Sequence, residues 1–185
     1  MNDKVCPWWL GYLLASPIRT LAQDPEKILR PYLEEGDTTL DVGSGMGFFT
    51  LPMARLVGER GRVVCVDLQE KMINGLRRRA SRGGLMDRMD LRVCTPASLN
   101  IDDLAGTIDF ALAFAVVHEV PDAKRLLSEI YVSLNKGGVL LFSEPTGHVT
   151  EGTFGETLSI AGAIGFRMAE KPGIRRSHSA LLVKE

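Results

Sequence analysis

The sequence predicts a doubly wound α/β domain, a mostly parallel seven-stranded sheet with helices on both faces and a C-terminal antiparallel hairpin. Three observations predict it. From Thr38 onward short β-branched and apolar runs alternate with amphipathic stretches, the pattern of parallel strands joined by crossover helices. A glycine-rich turn follows the first run, and a Pro-Gly turn region separates the last two into a hairpin.

The elements follow in order. Asp24-Pro25-Glu26 starts a helix with Asp24 as N-cap and Pro25 at the first helical position, running towards Gly36 with a kink expected at Pro31. Strands are predicted over residues 38–42, 62–68, 90–94, 108–114 and 139–143. Helices are predicted over 49–57, 70–79 and 123–134. The last of these carries a buried stripe of Leu126, Leu127, Ile130, Tyr131 and Leu134 at helical spacing and is closed by Gly137-Gly138. A helix over 154–164 ends near Gly165, and strands at 166–170 and 179–184 form the hairpin.

At 185 residues, 45% hydrophobic, the chain is read as one domain over 1–185 with one core. Lys+Arg total 22 against Asp+Glu 23, so no global positive field recruits DNA or an anionic membrane. Arg77-Arg78-Arg79 reads as a solvated helix face. Cys6, Cys65 and Cys94 lack metal-ligand spacing and are odd in number; Cys65 and Cys94 read as small core residues, Cys6 is left open. No apolar stretch is long enough to span a bilayer, and a cytoplasmic protein is expected.

The most informative segment is Leu40-Asp41-Val42-Gly43-Ser44-Gly45-Met46-Gly47-Phe48-Phe49, strand into glycine turn into helix. Gly43, Gly45 and Gly47 permit a sharp turn and a close approach of backbone to ligand, at the strand ends where open α/β sheets bind ligands. Asp67 ends the second strand roughly 20 residues on, where a carboxylate accepts hydrogen bonds from ribose hydroxyls. Together these specify an adenosine-type cofactor, but not which one. The spacing is G-x-G-x-G, so Phe48 stands where a dinucleotide fingerprint has its third glycine.

Asp41-Val-Gly-Ser-Gly-Met-Gly47 resembles motif I of class I S-adenosylmethionine-dependent methyltransferases. The similarity covers residues 38–145 and is nearest the small-molecule branch that includes the ubiquinone and menaquinone biosynthesis methyltransferases. The run from Asp109 to Asp122, with His118 within it, resembles that branch's fourth-strand region, and the run from Asn135 to Phe142 its fifth-strand entry. The resemblance implies S-adenosyl-L-methionine as cofactor and an antiparallel last strand. It places Asp41, Gly43 and Gly45 around the methionine portion, Asp67 and Leu68 around ribose and adenine, and Phe114 and Ala115 beside the cofactor, with Ser44 and Gly47 also in the cofactor-binding set.

The sequence departs from this pattern after the third strand, where Cys94-Thr95-Pro96-Ala97-Ser98-Leu99 lacks the family's acid near adenine. Thr95 or Ser98 through a hydroxyl, or the backbone at Ala97, takes that place. The family often has Asn at Ala115 and a second His at Glu119. No Asn/Asp-Pro-Pro-aromatic segment follows the fourth strand, which with the neutral charge argues against a DNA base and for a small-molecule acceptor.

Other residues carry two readings. Asp41 caps the turn or serves the cofactor, and Asp67 binds ribose, caps the helix near Gln69, or does both. His118 is a base beside the acceptor or a structural histidine. Glu144 is base, orienter or loop carboxylate; His148 and His178 look like surface residues. Trp8, Trp9 and Tyr12, within residues 1–22, form a lid over the cleft or pack on the sheet edge. The methyl-transfer reading needs alignment and water exclusion more than a catalytic triad. Its competitors are a nicotinamide-dependent oxidoreductase, disfavoured by the glycine spacing, and a cofactor-binding regulatory module without turnover.

Overall fold

The computed structural model describes residues 23–185, which fall into two compact units, one ending at Cys94 and the other spanning Thr95–Glu185. In the first unit, helix α1 (Pro25–Leu29) begins where the Asp24 side chain accepts from the amides of Glu26 and Lys27. The helix towards Gly36 is shorter than expected. Pro31 lies in a 3₁₀ turn, Arg30–Tyr32, because its missing N–H ends the α-helical ladder instead of kinking it.

Strands β1 (Thr38–Val42), β2 (Arg62–Asp67) and β3 (Met89–Val93) are parallel, with β2 central. Val63 to Asp67 of β2 are all buried, the continuous burial of a parallel strand covered on both faces. Helices α2 (Thr50–Leu56) and α3 (Glu70–Arg82) supply Met53, Ala54, Ile73 and Leu76 to this core. Cys65 is a core residue as read, but Cys94 lies past the end of β3 and is half-buried. The arginine run is not wholly solvated either. Arg77 and Arg78 are exposed, whereas Arg79 is half-buried and donates to the Met46 carbonyl.

The second unit holds β4 (Ile108–Phe114), α4 (Ala123–Ser133), β5 (Leu134–Pro145), α5 (Glu151–Ile164), β6 (Phe166–Glu170) and β7 (Ser177–Lys184). β4 and β5 are parallel, while β7 runs antiparallel to both β5 and β6, so the terminal hairpin forms as read. The strand order is β3-β2-β1 in the first unit and β4-β5-β7-β6 in the second, seven strands in all.

Gly137-Gly138 do not stop α4. The helix ends at Ser133 and β5 starts at Leu134, with the glycines inside the strand where its register to β4 shifts between Ile108 and Phe110. A Cβ on Gly138 would stand 2.9 Å from the Ile108 carbonyl oxygen, so glycine serves close strand approach at this bulge. Among the described residues no helix is long and apolar enough to cross a membrane.

Candidate functional site

In the first unit the chain leaves β1 and turns at once. The amides of Gly43 and Ser44 both donate to the Val66 carbonyl, at 2.8 and 3.0 Å, which hangs the loop from the end of β2. The Gly45 amide donates to Asp67 Oδ2 at 2.9 Å. Gly45 and Gly47 have φ of +53° and +87°, conformations costly for any residue with a Cβ. The two differ in surroundings. A Cβ on Gly47 would lie 2.5 Å from Leu76 Cδ1, while one on Gly45 would meet nothing described within 4 Å. Gly47 is required by protein packing, whereas no described atom fills the space beside Gly45.

Ser44 supports the same reading. It is buried, and its Oγ has no hydrogen-bond partner among the described residues. A buried orphan hydroxyl costs about 1–3 kcal/mol, a cost that a polar ligand group bound in this loop would remove.

Two buried carboxylates flank the loop. Asp41, 3% exposed, accepts a 2.5 Å hydrogen bond from Thr50 Oγ1 at the start of α2. Burial pushes its pKa up to about 7, opposed by the Thr50 hydroxyl and reinforced by the charge of Asp67. Asp67, 8% exposed, is likewise raised by burial, with the amides of Gln69 and Gly45 pulling it back. It accepts the Gln69 amide at 2.8 Å but does not cap α3, whose N-cap is Gln69. Each carboxylate oxygen of Asp67 keeps a second lone pair for a ligand hydroxyl. Two desolvated carboxylates favour a ligand with positive charge. The next residue, Leu68, is 38% exposed, an apolar surface beside the Asp67 carboxylate.

The segment after β3 departs from expectation in detail. Thr95 Oγ1 accepts from the amides of Ala97 and Ser98, at 3.2 and 3.1 Å, and so closes its own turn. Ala97 is exposed. Ser98 Oγ and the Leu99 amide both donate to Glu129 Oε2, at 3.2 and 2.6 Å. A carboxylate therefore does meet this segment, from α4 rather than from the segment itself. No local spacing signals it.

The second unit holds the other candidates. Phe114 is half-buried at the end of β4, and Ala115 has φ +57°, the left-handed region that Asn tolerates better than Ala. Its amide donates to the Ser143 carbonyl at 2.8 Å. A 3₁₀ turn, Val117–Glu119, then presents His118. Glu144 is not a loop carboxylate. It lies within β5 and is 1% exposed, accepting the amides of Val117 at 2.8 Å and His118 at 3.4 Å on Oε1 and pairing through Oε2 with His118 Nδ1.

The hydrogen bond to Glu144 raises the pKa of His118; partial burial opposes it, and the charges of Glu144 and Glu119 add to it. His148 is exposed as read, yet its ring lies against that of His118, centroids 5.7 Å apart. His178 is half-buried rather than superficial, standing opposite Glu144 in the β5–β7 register with its ring 5.6 Å from that of Phe154. Trp8, Trp9 and Tyr12 lie outside the described residues. Among the described residues no His, Cys, Asp and Glu cluster fits a metal ion.

A family profile described as Methyltransferase domain matches residues 40–142, a stretch that contains the glycine loop, Asp67 and His118. The chain belongs to this methyltransferase family. Membership sets aside the nicotinamide reading and carries S-adenosylmethionine as cofactor, which the Ser44 and Gly45 cradle and the two carboxylates fit.

The chain is 30% identical over 112 residues to a ubiquinone/menaquinone biosynthesis C-methyltransferase of Hydrogenovibrio crunogenus, covering 60% of this chain and 43% of that protein. It is 34% identical over 116 residues to a ubiquinone biosynthesis O-methyltransferase of Paramagnetospirillum magneticum, covering 63% and 43%. The chain thus spans less than half the length of these curated relatives.

Among solved structures, a SAM dependent methyltransferase from Aquifex aeolicus superposes with a TM-score of 0.87 at 23% identity, over 98% of this chain and 100% of that one. The [4+2]-cyclase SpnF gives 0.69 at 22%, over 82% and 61%. These likenesses establish the fold. The presence of a cyclase among them shows that fold alone does not assign the reaction.

Proposed function

We propose that this methyltransferase-family chain transfers a methyl group from S-adenosyl-L-methionine to a small-molecule acceptor. The observation that carries the reading is the loop from Gly43 to Gly47, bonded to Asp67 through Gly45, with a buried Ser44 hydroxyl that has no partner among the described residues.

When bound, the cofactor supplies a sulfonium methyl group open to in-line displacement. The chain's residues position it. Asp67 accepts from the ribose hydroxyls while Gly45 holds the carboxylate in place, and Leu68 lies along adenine. Ser44, Gly43, Gly45 and Gly47 line the methionine portion, with Asp41 offering charge to its ammonium group. Thr95, Ala97, Phe114 and Ala115 complete the cofactor set. His118 and Glu144 serve the acceptor, and Trp8, Trp9 and Tyr12 of residues 1–22 are assigned to a lid.

A small molecule as acceptor is supported by the relatives, named for ubiquinone and menaquinone biosynthesis, and by the net charge of -1, which does not draw a nucleic acid. Isothermal calorimetry tests the reading: S-adenosylmethionine and S-adenosylhomocysteine bind, and NAD and NADP do not. Tight NAD binding with no adenosyl ligand bound overturns it. In Asp67→Ala the loss of charge-assisted bonds, each worth about 1.5–3 kcal/mol, weakens binding at least tenfold.

A further inference from the structure

The glycine loop of the first unit is held from two elements. Its first half hangs from the end of β2, with the Gly43 and Ser44 amides on the Val66 carbonyl and the Gly45 amide on Asp67 Oδ2. Its second half, Met46 and Gly47, is held by α3. The Arg79 guanidinium donates through Nη1 to the Met46 carbonyl, the buried Met46 side chain lies over Gly75, and Leu76 fills the space beside Gly47. Residues 75, 76 and 79 share one side of a helix, 75 and 79 one turn apart.

Two features of α3 follow from these contacts. Glycine inside a helix is unfavourable beside alanine, yet Gly75 stands in the middle of α3 and is buried. A Cβ there would lie 2.9 Å from Met46 Cγ and 3.1 Å from Met46 Sδ, so the missing side chain is the space that Met46 takes. Arg79, unlike the exposed Arg77 and Arg78, is half-buried. Burial and the charge of Arg55 both lower its pKa, an electrostatic cost that its charge-assisted bond to the Met46 carbonyl offsets.

We propose that Arg79 is a positioning residue for the cofactor, fixing the peptide between Met46 and Gly47 so that the loop presents a set backbone to the methionine portion of S-adenosylmethionine. The proposal rests on the methyl-transfer reading above and adds a residue to its cofactor site. Gly45 and Gly47 both adopt positive φ, and glycine has more backbone freedom to lose than any other residue. Asp67 fixes the peptide before Gly45, and Arg79 fixes the one after Met46. A loop ordered in advance binds without the cost of ordering it. The effect therefore falls on the ligand atoms that meet the loop, while the ribose and adenine parts, assigned to Asp67 and Leu68, are spared.

That selectivity is the test. Calorimetry on the full chain compares S-adenosylhomocysteine with methylthioadenosine, which keeps the adenosine and the sulfur but lacks the amino-acid portion. Arg79→Gln weakens S-adenosylhomocysteine about tenfold or more and methylthioadenosine less than about threefold. Arg79→Lys, which keeps a charged donor on a long stem, stays within about threefold of wild type on both. Gly75→Ala leaves Arg79 in place but displaces Met46, and shows the same selective loss. Asp67→Ala weakens both ligands. The carbonyl carbon of Met46 reads the bond directly, its NMR shift moving in Arg79→Gln and returning in Arg79→Lys.

Equal losses on the two ligands in Arg79→Gln and Gly75→Ala, wild-type affinity in both, or a Met46 carbonyl shift indifferent to Arg79 overturns the proposal. Should Arg79→Gln fail to fold, Gly75→Ala and Arg79→Lys decide the same question. A wild-type chain that binds neither S-adenosylmethionine nor S-adenosylhomocysteine defeats the methyl-transfer reading, whereas intact wild-type binding with unselective variants defeats only the role of Arg79.

Discussion

At Asp41, burial and function act in opposite directions. Its pKa of about 7, raised above the ordinary 3.8, means the folded chain binds the extra proton, so its contribution to stability is full below the unfolded value and is lost as pH rises through 7. A cationic cofactor prefers the ionised form. Affinity for S-adenosylmethionine therefore rises roughly five- to tenfold between pH 6 and 7.5, and Asp41→Asn flattens the dependence in calorimetry. The glycines separate in the same way. Gly47→Ala, with φ +87° and Leu76 in the way, costs about 2–4 kcal/mol in thermal denaturation. Gly45→Ala, with none of the described residues within 4 Å of the added Cβ, costs about 1–2 kcal/mol but loses cofactor binding more than stability. Asp41, Asp67 and the glycines were legible because strand, turn and acid lie within a short stretch. Thr50, Arg79 and Glu129 were not, since each reaches its partner only once a helix has packed.

Among the elements, β5 departs furthest from its sequence reading. A glycine pair after an amphipathic run has the pattern of a helix stop, yet α4 gives way directly to a strand and the pair falls in its bulge. The helix and the hairpin were legible from periodicity. The bulge was not, because its cause is the Ile108 carbonyl across the ladder, and a strand's partner is not written in its own sequence. Gly138→Ala, whose Cβ would stand 2.9 Å from that carbonyl and 3.1 Å from that of Asn135, destabilises by about 1–3 kcal/mol in denaturant unfolding. The same strand carries Glu144 into the interior, so composition alone left it indistinguishable from a loop acid. On its other face, Ser143 Oγ meets Ser179 Oγ at 2.9 Å, both buried. Ser143→Ala strands the Ser179 hydroxyl and costs about 1–3 kcal/mol.

For the whole molecule, the cofactor is itself a folding term. The first unit holds two desolvated carboxylates and a hydroxyl without a partner among the described residues around one loop, each a cost borne by the folded chain alone that a ligand bound there would relieve. A ligand that binds only the folded state stabilises it by about 2.7 kcal/mol at 100 times its dissociation constant. In a chain of 185 residues this corresponds to a rise of roughly 5–10 °C in the melting temperature. S-adenosylhomocysteine, which lacks the reactive methyl group, produces this rise in differential scanning calorimetry; NAD at equal concentration produces none, and Asp67→Ala reduces it. Hydrogen exchange locates the effect. Slowing concentrates at the amides of Gly43, Ser44, Gly45 and Gly47, whose carbonyl and carboxylate partners are already in place, and is weaker in the β6–β7 hairpin. Slowing spread evenly over both units, or a melting temperature indifferent to the adenosyl ligand, contradicts the assignment of the loop as cofactor site.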